Sequence, residues 1–235
     1  MDEAHIAELL EPFLTWPLSE RQLRHISTYI DMLLKWNQRI NLTAIRGPEE
    51  IVTRHFGESL FAAQQLFPAR AHAGAPGATS PLQRRAGVSA EEDVASNVST
   101  VVDVGSGAGF PGLPIKIWAP DLRLTLIESN HKKSTFLKEV VRELGEGAQV
   151  FADRADRFPA AFADVVTLRA VERFENVLTI AAGLVMAGGK LALLIGNTQI
   201  RNARTIARNF EWQSISVPIS QNRVLLIGKK KAYGD

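Results

Sequence analysis

Val101-Val102-Asp103-Val104-Gly105-Ser106-Gly107-Ala108-Gly109-Phe110-Pro111-Gly112 is the stretch on which the fold turns. Three β-branched residues and one acid run directly into a loop where four of eight positions are glycine. β-Branched side chains suit a pleated backbone, and closely spaced glycines allow a tight turn and a near approach to a ligand. The stretch therefore reads as a strand opening onto a nucleotide-like ligand.

Downstream of the loop, apolar blocks alternate with helical ones. Leu122 to Glu128 reads as a strand, and Asn130 caps a helix carrying Phe136, Leu137, Val140, Val141 and Leu144 that Gly145 stops. Gln149 to Ala152 and Ala163 to Leu168 are further strands, Glu172 to Ala187 is a helix ended by Gly188-Gly189, and Lys190 to Ile195 is a fifth strand. Such alternation implies a parallel sheet covered on both faces. A helix near Gln199 to Asn209 and two strands, Gln213 to Pro218 and Arg223 to Gly228, follow as antiparallel neighbours. The expected fold is α/β, a mostly parallel open sheet ending in an antiparallel hairpin.

Upstream, Ser19-Glu20-Arg21-Gln22 has the form of a capping box, and Leu23, Ile26, Ile30, Leu33 and Leu34 follow at helical spacing, predicting a helix to about Ile40. Its Arg21, Arg24, Lys35 and Arg39 form the solvated face usual for such a helix. Pro48 after Gly47 starts a second helix, with Val52, Phe56, Leu60 and Ala63 on its apolar side and Arg54 and Glu58 spaced as an i,i+4 pair. Residues 69–99 lose all periodicity and hold too little apolar surface to offset the entropy of ordering them. The chain thus divides into an N-terminal helical extension at 1–68, a mobile insertion or linker at 69–99 and a ligand-binding domain at 100–235.

With 235 residues, 46% of them hydrophobic, the chain can bury a substantial core. It has no cysteine, which excludes disulfides, thiolate metal ligands and cysteine nucleophiles, and no metal site is read from the other residues. The acidic Met1-Asp2-Glu3 leads into no apolar segment and no run of about 18 apolar residues occurs, so the reading is cytoplasmic with no membrane contact. Before Val98 there are 9 basic and 12 acidic residues, and from Val98 onward 18 and 13. The glycine-loop half is therefore the basic half, which suits a polyanionic partner.

The loop's register decides its ligand. G-x-G-x-x-G can be found at Gly107, Gly109 and Gly112, but the first turn glycine of a dinucleotide site follows its strand at once. Here that residue is Gly105, and counting from Gly105 and Gly107 puts Phe110 where the third glycine belongs. The pattern from the strand is instead Asp103-x-Gly105-x-Gly107-x-Gly109. A carboxylate at Asp103 repels phosphate and attracts an ammonium, directly or through water. Glu128, 19 residues past Gly109, can accept both hydroxyls of an unphosphorylated ribose. Asp153 and Asp156 flank the end of the third strand, where the polar edge of an adenine would lie. Together these suit a nucleoside carrying an amino acid, S-adenosylmethionine.

At these residues the chain resembles the bacterial 16S ribosomal RNA guanine-N7 methyltransferase G family, also called glucose-inhibited division protein B. The resemblance lies in Trp36-Asn37-x-x-Ile40-Asn41-Leu42-Thr43, Arg54-His55-Phe56-x-x-Ser59-Leu60, the glycine loop and Leu168-Arg169-Ala170-Val171. It implies a Rossmann-like class I methyltransferase, with 16S ribosomal RNA or the small ribosomal subunit as partner. It implies cofactor contacts at Asp103, Gly105, Gly107, Gly109, Phe110, Glu128, Ala155, Asp156 and Arg169, with Arg169 also a candidate for the guanine edge. Arg54, His55, Lys132, Lys133, Arg154 and Arg223 are the candidate RNA contacts.

Guanine N7 bears a free lone pair, so methyl transfer to it needs no general base, and no catalytic acid or nucleophile is assigned. The sequence departs from the family pattern at Glu58, where Asp is usual, at Leu168, where a small residue is typical, at Ile195, where a Lys is frequent, and at Asn222, where Arg is common. Two other readings stay open: a methyltransferase of another substrate, and a non-catalytic cofactor-binding module associated with the ribosome.

Overall fold

Successive residues of a strand face opposite ways, so a strand covered on both sides must be apolar at every position. At most positions of the central strands that condition is met, the buried Asp103 being an exception. In β1 (Thr100–Val104) Val101 joins one hydrophobic cluster, while Val102 and Val104 join the other. In β5 (Val185–Gly196) Ala192 and Leu194 face the first cluster, and Leu191, Leu193 and Ile195 face the second.

The computed structural model describes residues 1–68 and 98–231, so most of the insertion expected at 69–99 lies outside the described residues. Besides β1 and β5, the strands are β2 (Arg123–Ile127), β3 (Gln149–Phe151), β4 (Ala163–Arg169), β6 (Phe210–Ser216) and β7 (Arg223–Lys230). Among the described residues they form one sheet in the order β3-β2-β1-β4-β5-β7-β6. β1 to β5 run parallel, and β7 pairs antiparallel with both β5 and β6. The chain order reverses between β1 and β4, which opens a crevice at the carboxyl ends of these strands. Register makes that crevice sharp, because Val104 pairs with both Ile127 and Leu168, so Gly105, Glu128 and Arg169 emerge side by side.

The N-terminal helices add a layer to the first face. α1 (Glu3–Leu10), α2 (Glu20–Asn37), α3 (Pro48–Glu50), a π-helical stretch (Ile51–Gly57) and α4 (Glu58–Leu66) bury Ile6, Ile30, Phe56 and Leu60 in one cluster with α5 (Gly112–Trp118) and α6 (His131–Leu144). α7 (Phe174–Leu184) and α8 (Ile200–Ile206) cover the other face through Leu178, Ala181 and Ala203. The predicted caps are present: Ser19 and Gln22 form the capping box of α2, and Asn130 Oδ1 accepts from the N–H groups of Lys132 and Lys133. Gly145, at φ +63°, ends α6.

Several boundaries differ from the sequence reading, among them the start of the fifth strand, which lies at Val185 rather than Lys190. α2 stops at Asn37 rather than near Ile40, because the Asn37 side chain leaves the helix pattern to bond the backbone at Leu42, Thr43 and Ile45. The helix expected over 172–187 is shorter, since Arg173 is left-handed at φ +51° and Val185 already pairs with Ala163. The expected strand 213–218 begins at Phe210, because pairing with Lys230 carries it back three residues. The helix near 199–209 is α8 alone, preceded by a 3-10 turn at Asn197–Gln199.

Candidate active site

The glycine loop is held from below by Asp103. Its side chain is fully buried: Oδ1 accepts from the Thr167 hydroxyl at 2.7 Å and Oδ2 from the Gly112 N–H at 3.3 Å. Burial pushes its carboxyl up to about 6, against the pull of the Thr167, Ser106 and Gly112 donors. Asp103 therefore shapes the loop from beneath it, its side chain closed off from the crevice, whereas its position in the strand suggested contact with an ammonium, directly or through water.

The loop's own N–H groups are largely spent. Gly105 and Ser106 donate to Ile127 O, Gly109 and Phe110 to Ser106 O, Gly107 to Glu128 Oε2 at 2.9 Å and Gly112 to Asp103. A pyrophosphate site works by aiming free N–H groups at the ligand, so this arrangement supports the register counted from Gly105. Gly105 needs its left-handed φ of +67°, and a Cβ there would meet Val171 Cγ1 at 2.9 Å. Above Gly107, at φ +57°, a Cβ would find nothing nearer than 3.8 Å, leaving room for a ligand. Glu128 Oε1 accepts from Asn130 N at 2.7 Å. Each Glu128 oxygen therefore has one backbone donor and one further lone pair, enough for two hydroxyls.

The Phe110 ring is withdrawn from the crevice, sandwiched between Tyr29 (centroids 5.3 Å apart) and His55 (4.7 Å). The Tyr29 hydroxyl donates to Ala108 O, tying the loop to α2. The Trp36–Thr43 motif explains how His55 is placed. Asn37 folds the following turn, and Thr43 Oγ1 then meets His55 Nε2 at 2.8 Å. His55 Nδ1 lies 2.9 Å from an Arg169 nitrogen, and a guanidinium can only donate, so the ring proton sits on Nε2 and points to Thr43. Burial first, then the charges of Arg169, Arg54 and Arg223, pull His55 down to about 3 and keep it neutral.

Arg169 is turned away from the crevice into the helical layer, and this corrects its expected place at the cofactor or guanine edge. It donates to His55, to Arg54 O at 2.7 Å and to Glu58 Oε2 at 3.1 Å. The physical reason is the buried Glu58 carboxylate, which needs cations and takes a second from Arg223, 3.1 Å away on the same oxygen. The expected Arg54–Glu58 pair is absent for the same reason. The π-helical stretch turns Glu58 inward, and Arg54 pairs instead with Glu50 at 2.8 Å. His55 is likewise buried at this joint and does not stand free for RNA.

Two more candidates are committed within the chain. Arg154 makes a fork to Asp156 at 3.0 and 2.9 Å, and both lie exposed beside Ala155 at the end of β3. Lys132 is exposed and Lys133 half-buried at the start of α6, on the same rim as Glu128. The loop after β4 carries two left-handed non-glycine residues, Ala170 at φ +49° and Arg173 at +51°. Strained backbone of this kind collects at functional sites. A small cavity of about 60 Å³ lies beneath it, bordered by Arg169, Val171, Gln199 and Arg223. Among the described residues no group of three or more His, Asp or Glu is placed to hold a metal ion.

The profile of one protein family, described as GidB, rRNA small subunit methyltransferase G, matches residues 22–75 and 87–224. The chain belongs to that family. It is 36% identical over 201 residues to the Ribosomal RNA small subunit methyltransferase G of Exiguobacterium sp., covering 83% of this chain and 72% of that one. It is 38% identical over 180 residues to the protein of the same name from Aquifex aeolicus, covering 74% and 80%. A solved structure of a predicted O-methyltransferase from Agrobacterium tumefaciens superposes with a TM-score of 0.50 at 16% identity, over 57% of this chain and 75% of that one. That likeness concerns the fold alone, a class I methyltransferase sheet. Against the family pattern, Ile195 is a buried core residue of β5, while Asn222 is followed by Arg223, whose guanidinium reaches Glu58.

Proposed function

We propose that this protein transfers the methyl group of S-adenosylmethionine to N7 of a guanine in small-subunit (16S) ribosomal RNA, acting on the RNA or the subunit in the cytoplasm. The carrying observation is the glycine loop whose N–H groups are spent internally beside Glu128, which keeps two lone pairs for ribose hydroxyls. Family membership and the excess of basic residues in the domain support the RNA half of the reading.

S-adenosylmethionine, when bound, supplies a methyl group on a sulfonium that leaves as a neutral thioether. The chain's own task is alignment. Gly105 and Gly107 let the backbone come close, Glu128 accepts from the ribose, and the Ala155–Asp156 turn closes the base end. Guanine N7 attacks with its own lone pair, so no residue has to remove a proton, and holding donor and acceptor in line is the main contribution. The target base must leave its stack to reach the crevice, as chemistry on a base within a folded RNA requires.

Mass spectrometry of small-subunit RNA from a strain lacking this gene tests the reading. The expected result is loss of one N7-methylguanine, restored by the purified protein with S-adenosylmethionine, and an unchanged level overturns it. Calorimetric titration tests the cofactor, with NAD binding more tightly than S-adenosylmethionine as the refuting result.

A further inference from the structure

Between the helical layer and the β6–β7 turn runs a groove of about 460 Å³ that the transfer site does not use. We propose that it is a second nucleotide subsite, holding a single-stranded RNA nucleotide next to the target guanine, with its phosphate on Arg223 and Arg54 and its base against Ile219. The proposal rests on the RNA reading above and names residues for it.

Size and shape agree first. The groove lies within the range that encloses small ligands, and Phe13 and Arg54 stand on one wall with Ile219 and Ser220 on the other. It shares Gly196 and Arg223 with the cavity under the β4–α7 loop, whose Val171 packs over Gly105. A nucleotide there is a neighbour of the transfer site.

Ile219 is the second observation. It is 71% exposed, the most exposed of the large apolar side chains among the described residues, and its φ is +61°. A β-branched residue in the left-handed region is strained, and an exposed one gains nothing from burial to offset that strain. The turn is nevertheless well held, since Val217 N donates to Arg223 O and Ser220 N to Val217 O. The fold thus presents an aliphatic face at the rim of a basic groove, where a base can stack.

Charge is the third. Glu58 Oε2 is shared by Arg169 and Arg223, Arg54 is matched by Glu50, and His55 is held neutral. Three guanidiniums against two carboxylates leave one positive charge at the groove, the complement of one phosphodiester. The Ser220 hydroxyl adds a neutral donor beside it.

The test uses the full chain and a labelled, guanine-containing single-stranded oligoribonucleotide of about ten nucleotides, within the site sizes that single-strand binders cover. Ile219→Gly, which relaxes the backbone, weakens RNA affinity about fivefold, the share of losing part of one buried aliphatic side chain against a base. The salt dependence is unchanged in that variant. Arg223→Gln lowers the slope of log K against log salt by about 0.7, one phosphate's share on a single strand, and Arg223→Lys restores it. Affinity for S-adenosylmethionine stays at the wild-type value in all three. Wild-type RNA affinity in Ile219→Gly, or an unchanged salt slope in Arg223→Gln, overturns the subsite. If the wild-type protein binds S-adenosylmethionine but not the oligonucleotide, the RNA reading itself falls.

Discussion

Two buried ionisable groups, Asp103 under the glycine loop and His55 at the helical joint, should hide each other's pH dependence. Burial pushes the Asp103 carboxyl up from 3.8 to about 6. The folded protein holds that proton more tightly than the unfolded chain, so stability falls as pH rises from about 4 to about 6, by roughly 3 kcal/mol in all. Burial and three guanidiniums pull His55 down from 6.5 to about 3. The unfolded chain then binds the proton first, so stability falls as pH drops below about 6.5, by roughly 1.4 kcal/mol per pH unit. Between about pH 4 and 6 the two slopes are opposite and nearly equal, and their sum in the wild-type protein is close to flat.

Single variants separate them. Relative to wild type, Asp103→Asn gains roughly 3 kcal/mol of stability between about pH 4 and 6, whatever its constant offset from lost hydrogen bonds. His55→Gln shows the reverse, gaining roughly 3 kcal/mol relative to wild type as pH falls from about 6.5 to 4. Urea unfolding of the three proteins at fixed ionic strength and half-unit pH steps measures both differences by linear extrapolation. A difference that stays constant across the window, for either variant, refutes the claim that its group is buried in the stated protonation state.

Three further outcomes follow from the site. Gly112→Ala puts a Cβ 2.6 Å from Leu126 Cδ2 and 2.9 Å from Asp103 Oδ2, and should cost about 1 to 3 kcal/mol of stability by overpacking, read by thermal melting; an unshifted midpoint would mean that the loop can yield. Glu128→Ala should weaken S-adenosylmethionine binding by about 1 to 3 kcal/mol in calorimetry, because the ribose hydroxyls lose their acceptor, and unchanged affinity removes Glu128 from the site. Glu58→Gln leaves the buried Arg169 and the half-buried Arg223 without their counter-charge and should destabilise by about 3 kcal/mol in urea, whereas Glu50→Gln, at an exposed pair, should cost under about 1 kcal/mol; equal effects would contradict the assigned pairing.

Much of the crevice was legible because its signals are local. The strand-to-glycine transition, the Ser19 capping box, the Asn130 cap and the Gly145 stop each act within a few residues, so periodicity and turn chemistry suffice to place them. The parallel pairing of β1 to β5 also followed, since strands alternating with helices admit few other arrangements, though not the order of the strands. Less legible was how the Trp36–Thr43 motif serves the site. Its Asn37 reads as a polar helix end, yet it folds a turn that presents Thr43 to His55.

By itself, then, the sequence determined the α/β class, the glycine loop that follows β1 at Gly105 and the place of Glu128 at the end of β2, because each rests on backbone preference or on spacing along one strand and turn. Tertiary structure alone decided which charges face the crevice. Arg169 meets Glu58, His55 and Arg54 across 111 to 115 residues of chain, and a π-helical stretch sets the phase that sends Glu58 inward and Arg54 to Glu50. Coulomb attraction is cheap in water and strong once solvent is removed, so partners are chosen by what folding buries together, and burial of a carboxylate between two distant segments is not written in the spacing of either.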